Sequence, residues 1–193
     1  MPATLKFPFS FDAELLQADA ARFASDEWIY HFNTPIYQGD WSGIALRAVK
    51  GGKSPLYPDL NPSEDFVETE MMSRCRYVPE VLSDFRCALS SARFLKLGAG
   101  AQIRPHRDYR LGIEDGEIRI HIPVATNPRV EFVLDDKIVE MKEGEAWYLN
   151  FNLQHSVRND GGSDRIHLVI DCVVNDWILS YFKAANADFR LAS

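Results

Sequence analysis

Residues 117–124 read Glu-Ile-Arg-Ile-His-Ile-Pro-Val, and the pattern returns at 164–171 as Asp-Arg-Ile-His-Leu-Val-Ile-Asp. Apolar and polar residues alternate with a period of two, so each segment predicts a strand with one apolar face. Ile118, Ile120 and Ile122 share one face of the first; Arg119 and His121 share the other. In the second, Ile166, Leu168 and Ile170 oppose Arg165 and His167. Such a polar face usually meets solvent, but in a barrel it can line the lumen. Two arginine-x-histidine strands in one small chain look less like accident.

The flanking sequence extends this pattern. From residue 92, R-F-L-K-L, V-E-F-V-L, I-V-E-M and E-A-W-Y-L join the two strands, separated by G-A-G, E-D-G, D-D-K, K-E-G and N-D-G-G. Short strands at close intervals with such turns predict a double-sheet jelly roll, a double-stranded β-helix of the cupin kind. Before it, residues 11–24 carry helical spacing after Ser10, a candidate N-cap. Residues 33–65, with P-D-L-N-P inside, read as irregular loop with short strands, and a long loop of this kind is often a lid. A second helix is expected around 79–91, and a closing amphipathic helix after Asn175 or Asp176. The expected organisation is one α+β domain over 1–193: helices and loop to 91, a jelly-roll core over 92–174, and a C-terminal helix over 175–193.

The composition narrows the function classes. Hydrophobic content of 46% and charged content of 25% are ordinary for a globular protein. A net charge of −7 argues against nucleic acid or an anionic membrane as partner. Cys75, Cys87 and Cys172 are odd in number and lack C-x-x-C spacing, so neither a disulfide framework nor a zinc knuckle is expected. No basic region precedes a long apolar run at the N-terminus, and no run reaches the ~18 apolar residues of a membrane span. The expected location is the cytoplasm. Oligomeric state is left open.

The chemistry concentrates in R-P-H-R-D-Y, where His106 and Asp108 stand two apart, and in L-Q-H-S, where His155 follows. Residues i and i+2 of an extended chain point the same way, roughly 6.5–7 Å apart, so both can reach one ion. Two histidines and a carboxylate make the facial triad that holds a mononuclear iron and leaves positions open. An H-x-D alone is often a surface ion pair, but four of the five histidines fall between 106 and 167. H-R-D is also a kinase signature; there an Asn follows at the position of Ile113, and no Gly-rich loop or D-F-G is present. Ten residues after His155, Arg165 has the charge and the fork to hold the far carboxylate of a 2-oxo acid.

At these residues the chain resembles the aspartyl/asparaginyl β-hydroxylase family of iron(II)- and 2-oxoglutarate-dependent oxygenases. The bacterial branch with the free-proline cis-hydroxylases is the most similar. The resemblance runs over about 93–172, through R-F-L-K-L-G-A-G-A-Q-I-R-P-H-R-D-Y, I-R-I-H-I-P-V, E-G-E-A-W-Y-L-N, L-Q-H-S and D-R-I-H-L-V-I-D. It implies a double-stranded β-helix with iron at His106, Asp108 and His155, and Arg165 on the distal carboxylate of 2-oxoglutarate. Arg119 and His121 match the strand that lines the cosubstrate pocket, and O2 is the oxidant. Asp108 departs from the family's animal peptidyl hydroxylases, which lack the carboxylate ligand, so a small molecule or an intracellular peptide is the expected substrate.

Substrate contacts are expected from Arg104, Trp147 and Asn150, with Asn152 near His155 and a lid carrying Trp41 and Arg47. Arg47, Arg104 and Arg107 are available to neutralise a substrate carboxylate. Two other classes compete with the oxygenase. A non-catalytic metal-binding jelly-roll sensor would release no succinate, and a cupin enzyme that uses no keto-acid would be indifferent to Arg165.

Overall fold

The structure, a computed structural model, describes residues 2–51, 56 and 65–191. The chain runs β1 (Thr4–Ser10), α1 (Ala13–Ala20), β2 (Ile29–Tyr30), β3 (Tyr37–Gln38), β4 (Trp41–Val49), β5 (Phe66–Glu68) and α2 (Val78–Ser83). It continues β6 (Leu89–Leu97), β7 (Gln102–His106), β8 (Glu117–Ala125), β9 (Val130–Leu134), β10 (Lys137–Ile138), β11 (Glu145–Leu149), β12 (His155–Asn159), β13 (Arg165–Val173) and α3 (Asp176–Leu191). Two antiparallel sheets result. The larger is ordered β1-β11-β8-β13-β6-β4-β2 with β5 added on β4; the smaller is β10-β9-β12-β7-β3.

The alternation of β8 and β13 resolves in favour of the lumen. Ile118, Ile120, Ile122, Leu168 and Ile170 are fully buried and pack under the helices. Each such side chain contributes roughly 1.5–3 kcal/mol of burial. On the opposite face Arg119, His121, Arg165 and His167 are buried as well, between the sheets. A separate apolar cluster around Ile103, Phe132, Phe151 and Val157 fills the inter-sheet space beside them. The C-terminal helix covers its own sheet: Ile178 and Phe182 are buried in the helix-side core, and the Phe182 ring meets Tyr148 edge-on at 4.9 Å.

Turn chemistry sets the register locally. Asp135 and Asp136 both take positive φ, 49° and 60°, and link Leu134 to its partner Lys137. That is the two-residue turn whose twist matches paired strands. Gly144, at φ 79°, lies so close to the Phe11 carbonyl that an added Cβ would sit 2.1 Å from its oxygen.

Several expectations are corrected here. Ser10 is the last residue of β1; the cap of α1 is Asp12, whose carboxylate accepts from the Leu15 N–H at 3.1 Å. The helix expected over 79–91 ends at Ser83, because Leu89–Leu97 forms a ladder between β4 and β13. The N-terminal part is not only helix and loop, since β1 and β4 belong to the large sheet. Within the span read as irregular loop, Trp41–Val49 is a long strand paired to β6 along most of its length. Trp41 and Arg47 therefore sit on a sheet strand, not a lid. I-V-E-M contributes only Ile138 to a strand. P-D-L-N-P lies outside the described residues. Asn175 caps α3, its side chain accepting from the Ile178 N–H at 3.1 Å. Among the described residues, no helix is long and apolar enough to cross a membrane.

Candidate metal centre and anion pocket

β7 ends at His106 and β12 begins at His155, and the ladder pairs these two residues directly. The chain then turns out of β7, tied by the Asp108 N–H to the Phe151 carbonyl at 3.0 Å. This brings one donor atom each from His106, Asp108 and His155 within 4.8 Å of one another. The two imidazole rings lie 4.1 Å apart, centre to centre.

Backbone carbonyls fix both tautomers. His106 Nδ1 lies 2.8 Å from the Arg104 carbonyl and His155 Nδ1 lies 3.1 Å from the Leu153 carbonyl. A carbonyl only accepts, so each ring carries its proton on Nδ1 and offers a lone pair at Nε2. Burial, and then His106 beside it, lowers the His155 pKa to about 4, so it is neutral over the physiological range. Asp108 accepts from Arg119 Nη1 at 2.7 Å through Oδ2, while Oδ1 faces His106 Nε2 at 3.6 Å. Two neutral nitrogens and one carboxylate oxygen could hold a divalent cation that favours mixed N/O donors.

Behind Asp108 stands a buried charge cluster. Arg119 donates to Asp171 through Nε at 2.7 Å and Nη2 at 3.0 Å. Arg93 donates to the same carboxylate at 3.0 Å, and Ser91 at 2.7 Å. Arg93 also reaches the Ser91 hydroxyl. Burial opposes the charge of Arg119, but Asp171 and then Asp108 outweigh it and raise its pKa. Arg119 is thus committed to two carboxylates, and the one it shares with the triad is Asp108.

Arg165 is different. It is 3% exposed, has no ion-pair partner among the described residues, and leaves Nε with no hydrogen-bond acceptor. Burial alone lowers its pKa to about 9. A buried guanidinium without a counter-charge is unfavourable unless an anion comes to it. His106, Asp108, His155, Arg119, His121 and Arg165 all line one cavity of about 220 Å³. One cavity is thus lined both by the three metal-type donors and by a buried cation without a counter-charge among the described residues. A second groove, of about 950 Å³, is also lined by Arg165, together with His167.

The expected substrate residues are placed elsewhere. Trp147 pairs with His121 across β11 and β8, but the lining of the cavity does not include it, and its indole donates to Glu145 at 2.9 Å. β11 lies one strand nearer the sheet edge than β8, which carries Trp147 past the cavity. Asn150 is buried and holds the Asn152 N–H at 3.1 Å; Arg104 lies on the surface and donates to the Pro35 carbonyl at 3.1 Å. Arg47 donates to the Leu89 carbonyl at 3.0 Å. Trp41 and Arg107 do line the cavity.

Residues that sequence reasoning missed complete the wall. His31 stacks on Trp41 at 3.6 Å, and burial, then Arg93, lowers its pKa to about 3. Asp171 and Arg93 anchor Arg119. Asp171 was legible in principle, since 165, 167, 169 and 171 share one face of a strand. His31 carries no comparable signal.

Residues 12–174 match a family model described as aspartyl/asparaginyl beta-hydroxylase. The chain is 32% identical over 137 residues to an L-proline cis-4-hydroxylase of Rhizobium meliloti (strain 1021), covering 69% of this chain and 48% of that protein. It is 28% identical over 167 residues to L-proline cis-3-hydroxylase 1 of a Streptomyces species, covering 83% of this chain and 56% of that one. The chain therefore spans about half the length of the curated relatives it matches. Among solved structures, a 2OG-Fe(II) oxygenase family oxidoreductase from Burkholderia pseudomallei superposes with a TM-score of 0.57 at 16% identity, over 90% of this chain and 88% of that one. A Pseudomonas putida prolyl-4-hydroxylase gives 0.53 at 16% identity, over 90% and 93%. At that identity the likeness speaks for the fold, a double-stranded β-helix.

Proposed function

The chain belongs to the aspartyl/asparaginyl β-hydroxylase family, and from that premise we propose that it is an iron(II)- and 2-oxoglutarate-dependent dioxygenase. Its substrate in this reading is a free amino acid or related small molecule, with an aspartyl- or asparaginyl-type side chain of a peptide as the wider class. One observation carries the reading. Three metal-type donors stand within 4.8 Å of one another in the same cavity as a buried arginine that has no carboxylate partner among the described residues.

Iron(II) and 2-oxoglutarate, when bound, supply an oxidant able to hydroxylate an unactivated C–H bond with O2, releasing succinate and CO2. The chain's own residues bind and orient. The Arg104 and Leu153 carbonyls hold the rings of His106 and His155 with Nε2 free. Arg119 fixes Asp108 through Oδ2 and keeps Oδ1 for the metal. It also lines the cavity, so holding a ligand in place adds to the role that the resemblance implied. Arg165 neutralises the far carboxylate of the cosubstrate, and His121 lies on the wall between. Phe132, Phe151, Ile103 and Val157 keep the cavity poor in water, which strengthens every charge interaction inside it. No side chain is required as acid or base, and none is assigned. Arg107 at the cavity wall is the cation available to a substrate carboxylate.

The test is an anaerobic titration of metal-free protein with iron(II) and 2-oxoglutarate, followed by the visible charge-transfer band of the chelate. Wild type should give the band, Asp108→Ala should bind little iron, and Arg165→Ala should bind iron but form a weak band. Succinate release is then screened with free amino acids and peptides. Iron binding without a band would sink the keto-acid chemistry; a band without succinate from any candidate would favour a sensor module.

A further inference from the structure

We propose that His167 is a positioning residue: it holds Arg165 as an un-neutralised cation and so sets a preference for dicarboxylic over monocarboxylic 2-oxo acids. This rests on the cosubstrate reading above and deepens it.

His167 and Arg165 stand two apart on one face of β13, at 2% and 3% exposure. Arg165 Nη2 lies 2.9 Å from His167 Nδ1. A guanidinium only donates, so Nδ1 of His167 is the acceptor and its proton sits on Nε2. His121 Nδ1 lies 3.2 Å from that same nitrogen. Only a donor fits there, so His121 carries its proton on Nδ1 and is left with a lone pair at Nε2, an atom with no partner. Burial and then the charge of Arg165 keep both rings neutral, well below the usual histidine value. The single lone pair of His167 Nδ1 takes the Arg165 N–H and, at the longer distance, is shared with His121, and the ring returns no charge.

That absence of charge is the functional point. The neighbouring cations, Arg93 and Arg119, are oriented by Asp171, which together with Asp108 also neutralises them. Arg165 is oriented by an imidazole instead. A carboxylate at 167 would supply the same geometry and cancel the cation that the ligand needs. A neutral acceptor aims the fork and leaves its charge for a carboxylate that arrives with the ligand. His167 lines the second groove and not the cavity, so it holds the guanidinium without occupying ligand space.

The experiment is calorimetric binding of 2-oxoglutarate and of 2-oxopentanoate, which lacks the far carboxylate, to manganese(II)-loaded protein. Wild type, His167→Asn, His167→Leu and His167→Asp are compared, with urea midpoints recorded for each. Asn places Oδ1 where Nδ1 was and should keep the dicarboxylate preference. Leu should lower 2-oxoglutarate affinity by about tenfold, the loss of one charged hydrogen bond, with 2-oxopentanoate unchanged. Asp should abolish the preference by pairing with Arg165. Parallel loss of both acids in Leu and Asp, or an unchanged ratio in both, overturns the role given to His167. If wild type itself shows no preference for the dicarboxylate, the cosubstrate reading falls and this inference with it.

Discussion

Replacing Asp171 by Asn tests whether the charge cluster behind the metal site holds the fold together. Asp171 is 3% exposed and accepts hydrogen bonds from Arg119 twice, from Arg93 and from Ser91, at 2.7–3.0 Å. Burial pushes its carboxyl up, but Arg119 and then Arg93 outweigh that and hold it well below the usual carboxylate range. Asn keeps the shape, removes the charge and turns an N–H2 toward a guanidinium. Breaking a buried pair from one side costs about 3–5 kcal/mol. With a urea m-value of about 2 kcal/mol/M, the midpoint at pH 7 should fall by about 2 M. The pH dependence supplies a second check. A folded-state pKa below the unfolded value of about 3.9 gives stability that is complete above that pH and is lost as pH falls through the folded value. The gap between wild type and Asp171→Asn should therefore narrow only below pH ~4. Freed of Asp171, Arg119 also positions Asp108 less well, so metal affinity should drop by roughly tenfold. A midpoint change worth less than ~1 kcal/mol at pH 7 would refute the claim that this network is energetically coupled.

Other consequences are open to direct measurement. His31 titrates near 3 in the folded chain, so the unfolded chain binds one more proton between pH ~6.5 and that value. His31 alone should cost the metal-free protein up to about 1.4 kcal/mol per unit as pH falls through that window, in addition to what His121, His155 and His167 contribute, and His31→Phe should show a flatter stability curve. Asp19, 1% exposed, accepts the N–H groups of Arg76, Tyr77 and Val78 at 2.7–2.9 Å where α2 begins. Asp19→Ala should lower unfolding free energy by roughly 2–4 kcal/mol in urea, and a near-neutral effect would mean that water replaces the carboxylate. Trp147→Phe and Arg104→Ala lie outside the cavity lining and should leave the substrate KM within about threefold of wild type; a larger rise would restore them to the site.

The legible parts of the sequence were those with a short-range period. His106 and Asp108 announce themselves by two-residue spacing, and β8 and β13 by alternation so strict that both faces could be named. What could not be seen was which polar face would be buried, because that depends on a second sheet closing over it. β4 was hidden for a related reason. Trp41 to Leu46 is buried on both faces, so it shows no alternation, and the Gly- and Pro-rich flanks made it resemble loop. The helix beyond Ser83 failed because Leu89, Ser90 and Ser91 open a strand in a ladder that propensity cannot anticipate. Trp147 and Asn150 were placed near His155 along the chain, but distance along a chain says little about distance across a barrel. The partnership of His31 with Trp41 spans ten residues and a turn, and no spacing rule reports it.

Among the described residues, the polar interior of the barrel carries three buried guanidiniums, Arg93, Arg119 and Arg165, against the carboxylates Asp171 and Asp108. The histidines around them are of no help, since those for which burial sets the pKa are neutral. A divalent cation bound alone adds two positive charges to an excess that already exists, whereas a dianion bound beside it cancels that addition. The two should therefore bind as mutually supporting ligands, each tightening the other by the same factor, because linkage is reciprocal. Arg165 sits on the unfavourable side of that balance when the metal comes first. Arg165→Ala should thus bind manganese(II) alone at least as tightly as wild type while losing most of the enhancement that 2-oxoglutarate gives. Calorimetric titration of manganese(II), with and without the keto-acid, measures both quantities in wild type and variant. If Arg165→Ala weakens the metal alone, the arginine is holding the site's structure, and the excess charge is not what couples the two ligands.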